Sequence, residues 1–337
     1  MTTRLLGAVL LILALCVTNA DAYWEEHNEE GKYLYGYAGV DDNLSFHLSE
    51  IESNHISTNV VSVDVDTAAD DLTDKLAFLK SHGQRAIVVL DKILFINDPR
   101  LNTPCGSFAY RHRLDFKAKF DNWLSINSAH ITPEFVAALA VNTEINNRCI
   151  SYDSLNMVTQ YVKTRLPLIP SLAGYGRGAG SAPLPDKIPE ALAGVIFFMY
   201  RIFDPRTDSA YQIEFQALKS KLTPEQRLIL VPDGFYDSGH AALGWPKWYL
   251  GYVALNYMRL ALNDPKVVGL VLFLWPGFEE FGEQKLGTRE LPQAVRDRHR
   301  EVGCGLNIQS QQSEWCSPTA SKIERSPGGG PARGLAR

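Results

Sequence analysis

Short apolar runs typical of β-strands alternate with stretches of helical character along this 337-residue chain, from Lys32 to about residue 302. Residues 86–90, Ala-Ile-Val-Val-Leu, are apolar at every position, which is typical of a strand covered on both faces. Such alternation predicts parallel β/α units. The predicted strands are 33–40, 59–65, 85–95, 135–141, 168–173, 194–199, 227–231 and 267–274.

Eight strands, each followed by a helix or a long loop, match a (β/α)8 TIM barrel of the α/β class, which usually needs about 250 residues. We predict a single barrel domain over residues 23–305. The predicted helices are 68–82, 151–165, 211–222, 248–262 and 289–302, with Gly303 ending the last. An open doubly wound sheet is the alternative, but the first β/α turn, 39–43, lacks the G-x-G-x-x-G fingerprint.

The N-terminus has the pattern of a secretory signal. Residues 1–22 combine a positive charge at Arg4, an apolar core over 5–17 and the small-residue exit Ala20-Asp21-Ala22. We expect cleavage before Tyr23 and secretion, into the periplasm if the source is bacterial. After residue 17 no apolar run approaches the roughly 18 to 20 residues that span a bilayer, so no membrane partner is expected after cleavage. Residues 306–337 are a predicted tail, largely disordered after residue 325.

The charge balance bears on the class of partner. Lys plus Arg number 33 against 38 Asp plus Glu, a formal charge of −5, and no basic block stands out. Nucleic acid is therefore not expected as a partner, because phosphate binding needs a positive surface. Residues 43–45, Asn-Leu-Ser, form a glycosylation sequon, which applies only in a eukaryotic source.

Four cysteines remain after signal cleavage: Cys105, Cys149, Cys304 and Cys316. In an oxidising compartment an even number predicts two disulfides, with three possible connectivities. We favour Cys105–Cys149, because the barrel places their loops side by side on one face, and Cys304–Cys316, which closes a short loop. A zinc site is the alternative, but the spacings are long and no C-x-x-C occurs.

Polar residues collect where the predicted strands end, and a TIM barrel builds its active site at that edge. They are Asp64, Asp91, Lys92, Asn142, Glu144, Tyr200, Arg201, Asp233, Tyr236, Asp237, Trp275, Glu279 and Glu280. Carboxylates accompanied by Trp, Tyr and Asn suit hydrolysis of a glycosidic bond. One carboxylic acid protonates the leaving oxygen, a second carboxylate attacks the anomeric carbon or activates water, and aromatic faces stack on sugar rings.

Glu144 is the predicted acid/base, because it follows a strongly apolar strand and is placed beside Asn142 in the barrel mouth. An exposed loop glutamate is the alternative. Asp233, at the end of the seventh strand, is the candidate partner carboxylate, facing the fourth strand across the mouth. Its Pro-Asp-Gly context also fits an ordinary turn.

The remaining candidates are assigned to substrate binding. Trp275 is predicted to form the floor of the sugar site, or alternatively to close the barrel core, and Tyr200 to support the nucleophile or bind a sugar hydroxyl. The residues predicted to contact substrate or its immediate surroundings are Asn142, Asp64, Asp91, Lys92 and Tyr236. A structural ion pair of Asp91 or Asp64 with Lys92 is the alternative. Among the histidines only His240, near Asp237, stands close to a candidate carboxylate.

On these residues the chain resembles the large clan of retaining (β/α)8 glycoside hydrolases that includes cellulases and mannanases. Those enzymes carry an acid/base Glu after Asn at the end of strand four, a nucleophilic Glu ending strand seven, and often a Trp ending strand eight. Asn142-Thr143-Glu144 and Trp275 match in position. Thr143 separates the Asn from the Glu, which are adjacent in the clan, and strand seven offers Asp233 in place of Glu.

These expectations describe a secreted, metal-independent glycosidase without a cofactor, acting on a poly- or oligosaccharide, endo-acting and monomeric. Whether it retains or inverts configuration depends on the separation of its carboxyl groups, which the sequence leaves open. The alternative is a catalytically inert TIM-barrel module that binds a glycan or a protein.

Overall fold

The computed structural model describes residues 33–63, 71–177, 182–280, 282–307 and 316. The predicted signal peptide, and the tail apart from residues 306, 307 and 316, lie outside these ranges. In chain order the strands are β1 (Leu34–Tyr37), β2 (Thr58–Ser62), β3 (Arg85–Val89), β4 (Phe95–Asn97), β5 (Tyr110–His112), β6 (Val136–Asn142), β7 (Ser171–Arg177), β8 (Gly194–Met199), β9 (Arg227–Val231), β10 (Phe235–Tyr236), β11 (Val267–Leu272), β12 (Phe278–Glu280) and β13 (Glu283–Gly287).

Helices separate the strands that form the main sheet. They are α1 (Leu44–Ile51), α2 (Thr73–Ser81), α3 (Asp91–Leu94), α4 (Phe116–Asn127), α5 (Tyr152–Arg165), α6 (Ser209–Lys219), α7 (Ser238–Ala242), α8 (Tyr249–Asn263) and α9 (Gln293–Leu306), with short 3-10 helices at Glu52–Asn54, Gly106–Phe108 and Thr288–Glu290. None of them, within the described ranges, combines the length and apolar character needed to cross a membrane.

The main sheet is a nearly closed barrel. Eight strands pair in parallel in the order β1-β11-β9-β8-β7-β6-β3-β2. The two end strands meet through a backbone hydrogen bond from the Ser57 N–H to the Tyr35 carbonyl, 2.9 Å. The predicted (β/α)8 fold is thus confirmed, and each predicted strand has its counterpart in the barrel.

Alternate residues of each barrel strand face opposite sides. On β6, Ala138 and Ala140 belong to the cluster inside the barrel, whereas Leu139 and Val141 pack outward against the helices. Both clusters are buried, which explains why the strand is apolar without a period of two. A parallel barrel also brings the carboxyl ends of all eight strands to one rim.

Several predicted boundaries differ from the structure, and two of the differences have a clear physical reason. The strand predicted over 85–95 ends at Val89, and Asp91–Leu94 forms a helical turn that buries Ile93 and Leu94 at adjacent positions. Composition alone does not separate such a turn from a continuing buried strand. The last helix does not end at Gly303 but continues to Leu306. Gly303 serves packing, because a Cβ there would lie 2.0 Å from the Asn54 carbonyl oxygen.

Side chains complete the seam between β1 and β2. The Tyr37 N–H donates to Asn59 Oδ1 at 3.1 Å, and Asn59 Nδ2 donates to Gln84 Oε1 at 2.6 Å. The strands approach so closely at Gly36 that a Cβ there would lie 1.5 Å from the Thr58 carbonyl oxygen. Asn59 therefore supplies the acceptor that a backbone ladder would otherwise provide.

Asn59→Ala leaves the buried Tyr37 N–H without its acceptor and Gln84 without its donor. We expect the free energy of unfolding to fall by about 2 to 4 kcal/mol, measured by urea denaturation. Asn263→Ala, at the exposed end of α8, is the control and should change stability by less than about 0.5 kcal/mol. Equal stability of the two variants would show that Asn59 does not support the seam.

A buried histidine lies behind the same seam. The Tyr35 hydroxyl donates to the His299 carbonyl oxygen at 2.7 Å, and the Tyr37 hydroxyl lies 3.0 Å from His299 Nδ1. Asn54 Nδ2 donates to the Tyr37 hydroxyl, which leaves that hydroxyl's proton for the ring nitrogen. Burial lowers the pKa of His299 to about 3, so the ring is neutral at ordinary pH.

This pKa makes stability depend on pH. Because the folded pKa lies below the unfolded value, the unfolded state alone binds the proton as pH falls below about 6.5, and stability is lost towards pH 3. We expect the His299→Gln variant to lose about 2 kcal/mol less than the parent between pH 7 and pH 5, by urea denaturation at each pH. The exposed His82→Gln variant is the control. A parent-like pH dependence in His299→Gln would contradict the burial of a neutral ring.

Candidate active site

A cleft of about 1240 Å³ lies at the carboxyl ends of the barrel strands. Inward-facing side chains make its floor, among them Ala140, Ile196, Phe198, Ile229 and Val231. Charged side chains surround the floor: the acidic residues Asp41, Asp91, Glu144, Asp237 and Glu280, and the basic residues Lys92, Arg113, Arg148, Arg201 and Lys285. The lining carries both signs in equal number, so the cleft does not select a strongly charged ligand.

Glu144 stands in this cleft just after the fourth barrel strand. β6 ends at Asn142, whose Oδ1 accepts a hydrogen bond from the Glu144 N–H at 2.8 Å. That bond fixes the turn and directs Glu144 into the cleft, with its side chain 41% exposed. Asn142 itself is fully buried beneath the turn. The predicted Asn142 and Glu144 are therefore neighbours, but only Glu144 lines the cleft.

Arg148 joins Glu144 to a second carboxylate. Its Nε donates to Glu144 Oε2 at 2.9 Å, and its Nη1 donates to Asp91 Oδ2 at 3.1 Å. Burial raises the pKa of Asp91 to about 6, with the charge of Glu144 adding to the rise and Arg148 and a Thr143 hydrogen bond opposing it. The partner of Asp91 is thus Arg148, and the guanidinium also stacks over the Tyr110 ring, 4.7 Å from its centroid.

A disulfide ties together the loops that carry this cluster. Cys105 and Cys149 are bonded, and the Tyr110 N–H donates to the Arg148 carbonyl at 2.8 Å. Arg148 is therefore held in two ways: its own carbonyl accepts a backbone hydrogen bond, and the next residue, Cys149, is cross-linked to Cys105. Cys304 and Cys316 form the second bond, so both predicted pairs are confirmed.

Asp233 lies below the cleft rather than on its surface. It follows the seventh barrel strand, has no exposed surface and does not line the cleft. Its Oδ2 accepts from the Arg201 N–H at 2.8 Å, and its Oδ1 lies 3.4 Å from His240 Nε2. Burial raises the pKa of Asp233, while His240 and Arg201 oppose the rise.

A second carboxylate holds the other side of His240. Asp237 caps α7: its Oδ1 accepts from the His240 N–H at 3.0 Å and lies 2.7 Å from the ring Nδ1. Its Oδ2 accepts from Arg201 Nη2 at 2.6 Å. Burial raises the pKa of Asp237, but the hydrogen bonds from Arg201 and the His240 N–H outweigh it and hold the pKa below its usual value. The network fixes the guanidinium of Arg201 at the cleft.

Tyr200 lines the cleft among other aromatic side chains. Its ring stacks on Phe273, with centroids 5.8 Å apart, and meets Phe235 edge-on at 5.2 Å. Burial raises the pKa of its hydroxyl well above the usual value, and the charges of Asp233, Glu144 and Glu280 raise it further. The hydroxyl therefore stays protonated, within electrostatic reach of all three carboxylates.

Trp275 belongs to the barrel wall. It is 1% exposed, its Nε1 donates to Glu50 Oε2 at 3.0 Å, and its ring meets Tyr37 edge-on at 4.9 Å. Trp275 lies three residues after the end of β11 at Leu272 and does not line the cleft. Phe273, two residues earlier, is the strand-eight aromatic residue that lines the cleft.

The other predicted residues fall in different places. Lys92 lines the cleft. Tyr236 does not: it is half-buried, and its hydroxyl donates to the Trp245 carbonyl at 2.7 Å. Asp64 lies outside the described residues.

Sequence reasoning gave no role to several cleft residues. Arg148 follows Glu144 by four positions, a spacing that pairs side chains on one helical turn and offers a usable signal. Phe273 sits inside a continuous apolar strand, where nothing in the sequence distinguishes a cleft residue from a core residue. Glu280 and Arg201 follow predicted strands, but the sequence does not show that their side chains face the cleft.

A search of the described residues for metal ligands finds one group of three, His55, Cys304 and Cys316. The two sulfurs are joined in a disulfide, so they are not available as thiolate ligands. The group lies away from the cleft lining.

Comparison with known proteins finds the barrel in solved structures. A GH113 beta-1,4-mannanase matches with a TM-score of 0.50 at 13% identity, over 82% of this chain and 98% of the mannanase. Xylanase 10B from Thermotoga maritima matches with a TM-score of 0.54 at 10% identity, over 85% and 99%. The chain therefore shares its (β/α)8 barrel fold with these solved structures. The resemblance inferred from Asn142, Glu144 and Trp275 is thus confirmed for the fold.

A beta-glucuronidase from Ruminococcus gnavus matches with a TM-score of 0.55 at 13% identity, over 80% of this chain but 51% of that enzyme. The barrel corresponds to about half of the larger protein. No protein-family model and no curated protein sequence matches the chain. Identities of 10 to 13% make the likeness one of fold, so the chemistry rests on this chain's own residues.

The two disulfides should stabilise the protein to different extents. Their cysteines are 44 and 12 residues apart, so loop-closure entropy assigns about 4 kcal/mol to Cys105–Cys149 and about 3 kcal/mol to Cys304–Cys316. We expect the Cys105→Ser/Cys149→Ser variant to unfold at lower urea concentration than Cys304→Ser/Cys316→Ser. If the Cys304→Ser/Cys316→Ser variant unfolds at the lower urea concentration, Cys105–Cys149 is not the more stabilising of the two disulfides.

Proposed function

We propose that this protein is a secreted glycoside hydrolase that cleaves O-glycosidic bonds within a poly- or oligosaccharide by means of two carboxyl groups. The observation that carries the proposal is the placement of Glu144, half-exposed in the cleft at the end of the fourth barrel strand. The fold shared with a mannanase and a xylanase supports it. Two disulfides support secretion, because such bonds persist in oxidising compartments.

Glu144 is the proposed proton donor to the leaving oxygen. Its carboxyl group reaches the cleft, where a glycosidic oxygen can lie within hydrogen-bond distance. Arg148 orients it through one hydrogen bond and divides its positive charge between Glu144 and Asp91. When Asp91 becomes protonated near pH 6, Glu144 is the remaining charged partner of Arg148 in this cluster. The strength of the ion pair between Arg148 and Glu144 therefore depends on pH.

Glu280 is the proposed partner carboxylate. Its side chain is 43% exposed and lines the cleft, and its charge, like that of Glu144, acts on the Tyr200 hydroxyl. The two glutamates therefore share a cleft with Tyr200 and both act on its hydroxyl. Asp233 also acts on that hydroxyl but is fully buried. We assign Asp233 a positioning role through Arg201 and His240.

The cleft suits several sugar units. Its volume of about 1240 Å³ exceeds the roughly 300 to 1,000 Å³ of a typical small-molecule site. Tyr200, Phe273 and Phe278 present aromatic surface, on which the apolar faces of sugar rings stack. This shape supports endo-acting cleavage of a chain.

A catalytically inert barrel that binds a glycan is the second candidate. The burial of Asp233 favours it, because the strand-seven carboxylate then cannot reach a substrate without a rearrangement. In that case the cleft would bind a sugar chain without hydrolysing it.

The experiment measures sugar release from a panel of soluble polysaccharides, including β-1,4-mannan and β-1,4-xylan. We expect the protein to hydrolyse at least one, and Glu144→Gln to lower the rate by 10²- to 10⁴-fold, because it removes a positioned proton donor. Glu190→Gln, an exposed glutamate outside the cleft, is the matched control and should keep the parental rate. Binding without hydrolysis by the parent would favour the inert barrel.

The same assay compares Glu280→Gln with Asp233→Asn. Loss of activity in Glu280→Gln of the size seen for Glu144→Gln supports Glu280 as the partner carboxylate. If Asp233→Asn alone abolishes activity in a folded protein, Asp233 replaces Glu280 as the partner.

A further inference from the structure

An exposed aromatic surface lies beside the cleft and takes no part in the proposed chemistry. It consists of Phe203, Trp245, Trp248, Tyr249 and Tyr252, and is called here the aromatic ledge. Phe203, Trp248 and Tyr252 are 39%, 49% and 39% exposed. The rings are continuous: Phe203 lies 5.0 Å from Tyr249, and Trp248 lies 4.5 Å from Tyr249 and 5.8 Å from Tyr252.

The fold does not require this exposure. Helix α8 packs on the barrel through Leu250, Val253 and Tyr257, all fully buried. Trp248 and Tyr252 are four residues apart and occupy the opposite, solvent-facing side of the same helical stretch. A contiguous apolar surface left in water marks a site of interaction.

The ledge begins at the rim of the cleft. Phe203 follows Arg201, a cleft-lining residue, by two positions. Trp245 lies against His240, 5.5 Å between ring centroids, and His240 belongs to the network that holds Arg201. Through Trp245, which also meets Phe203 at 5.9 Å, the ledge is contiguous with the network that holds Arg201 at the cleft.

Two arginines beside the ledge are paired, and Lys247, between Trp245 and Trp248 in the sequence, lies over the Tyr236 ring at 5.9 Å from its centroid. Arg206 donates to Asp204 at 2.7 Å, and Arg298 lies over the Tyr252 ring while paired with Glu301. The two paired arginines therefore do not select an acidic ligand. Flat aromatic rings bordered by hydrogen-bonding groups suit the apolar faces and hydroxyl edges of a neutral sugar chain.

We propose that the aromatic ledge is a second carbohydrate-binding surface, which holds a neutral polysaccharide where it extends beyond the cleft. The inference rests on the proposed function for the class of ligand, but it concerns binding and not hydrolysis. Trp248 and Tyr252 are its principal contacts, because their rings are the most exposed of the set on α8 and at its start.

The test is native affinity electrophoresis in gels containing soluble β-1,4-mannan or β-1,4-xylan, with Glu144→Gln as the parent to prevent hydrolysis. We expect at least one polymer to retard the parent, and the added pair Trp248→Ala/Tyr252→Ala to weaken apparent binding at least tenfold. Ile213→Ala, 70% exposed on α6, is the matched control and should bind as the parent does. Absence of retardation of the parent in both gels, or equal retardation of the double variant, overturns the proposal.

A second measurement tests the proposal with a single substitution, in case the double variant does not fold. Titration of the parent with the same polymers should change its tryptophan fluorescence, and the Trp248→Ala variant alone should lose most of that change. An unaltered response in Trp248→Ala overturns the proposal. So does light scattering that shows a dimeric parent and a monomeric Trp248→Ala variant, since the ledge would then join two copies of the chain.

The outcomes separate this inference from the proposed function. In one outcome, retardation depends on Trp248 and Tyr252, but the protein with Glu144 intact hydrolyses no polymer. That outcome supports the ledge as a binding surface and refutes the proposed glycosidase activity. Hydrolysis that depends on Glu144, with retardation unchanged by the double substitution, supports the glycosidase and refutes the ledge.

Discussion

Closure of the barrel between β1 and β2 is the constraint on which the rest of the structure depends. The seam has little room, because Gly36 lies against the backbone of Thr58, and it relies on Asn59 to accept the Tyr37 N–H. Once the ring of strands closes, all eight carboxyl ends share one rim. The cleft, Glu144 and the aromatic ledge all follow from that geometry.

Two ionic networks organise opposite sides of the rim. On one side Arg148 bridges Glu144 and Asp91, and the Cys105–Cys149 bond supports the loop that carries it. On the other side Arg201, Asp237 and His240 surround the buried Asp233. In both, an arginine at the cleft is held by two carboxylates. Such pairing fixes side-chain directions at a site without adding net charge to it.

The two networks differ in what they leave accessible. Glu144 stays open to the cleft because its turn is fixed from below by Asn142. Asp233 is enclosed, and its place near Tyr200 is shared by Glu280 from the hairpin after the eighth barrel strand. A glycosidase needs two carboxyl groups at the bond that breaks. The hairpin is therefore the part of the fold that completes the proposed pair.

The sequence by itself predicted the barrel, its eight strands and the placement of Glu144 at a strand end, because apolar runs and strand order are local properties. It left three disulfide connectivities possible, and the pairing that the structure shows was favoured through the predicted fold and a short loop. It did not predict helices α1 and α4, nor the helical turn at Asp91, since mixed apolar composition there fits more than one backbone. Only the tertiary structure decided that Phe273 rather than Trp275 faces the cleft and that Asp233 is buried. Which strand-end side chain reaches the cleft depends on where each strand turns and what packs behind it, and those contacts join residues far apart in the chain.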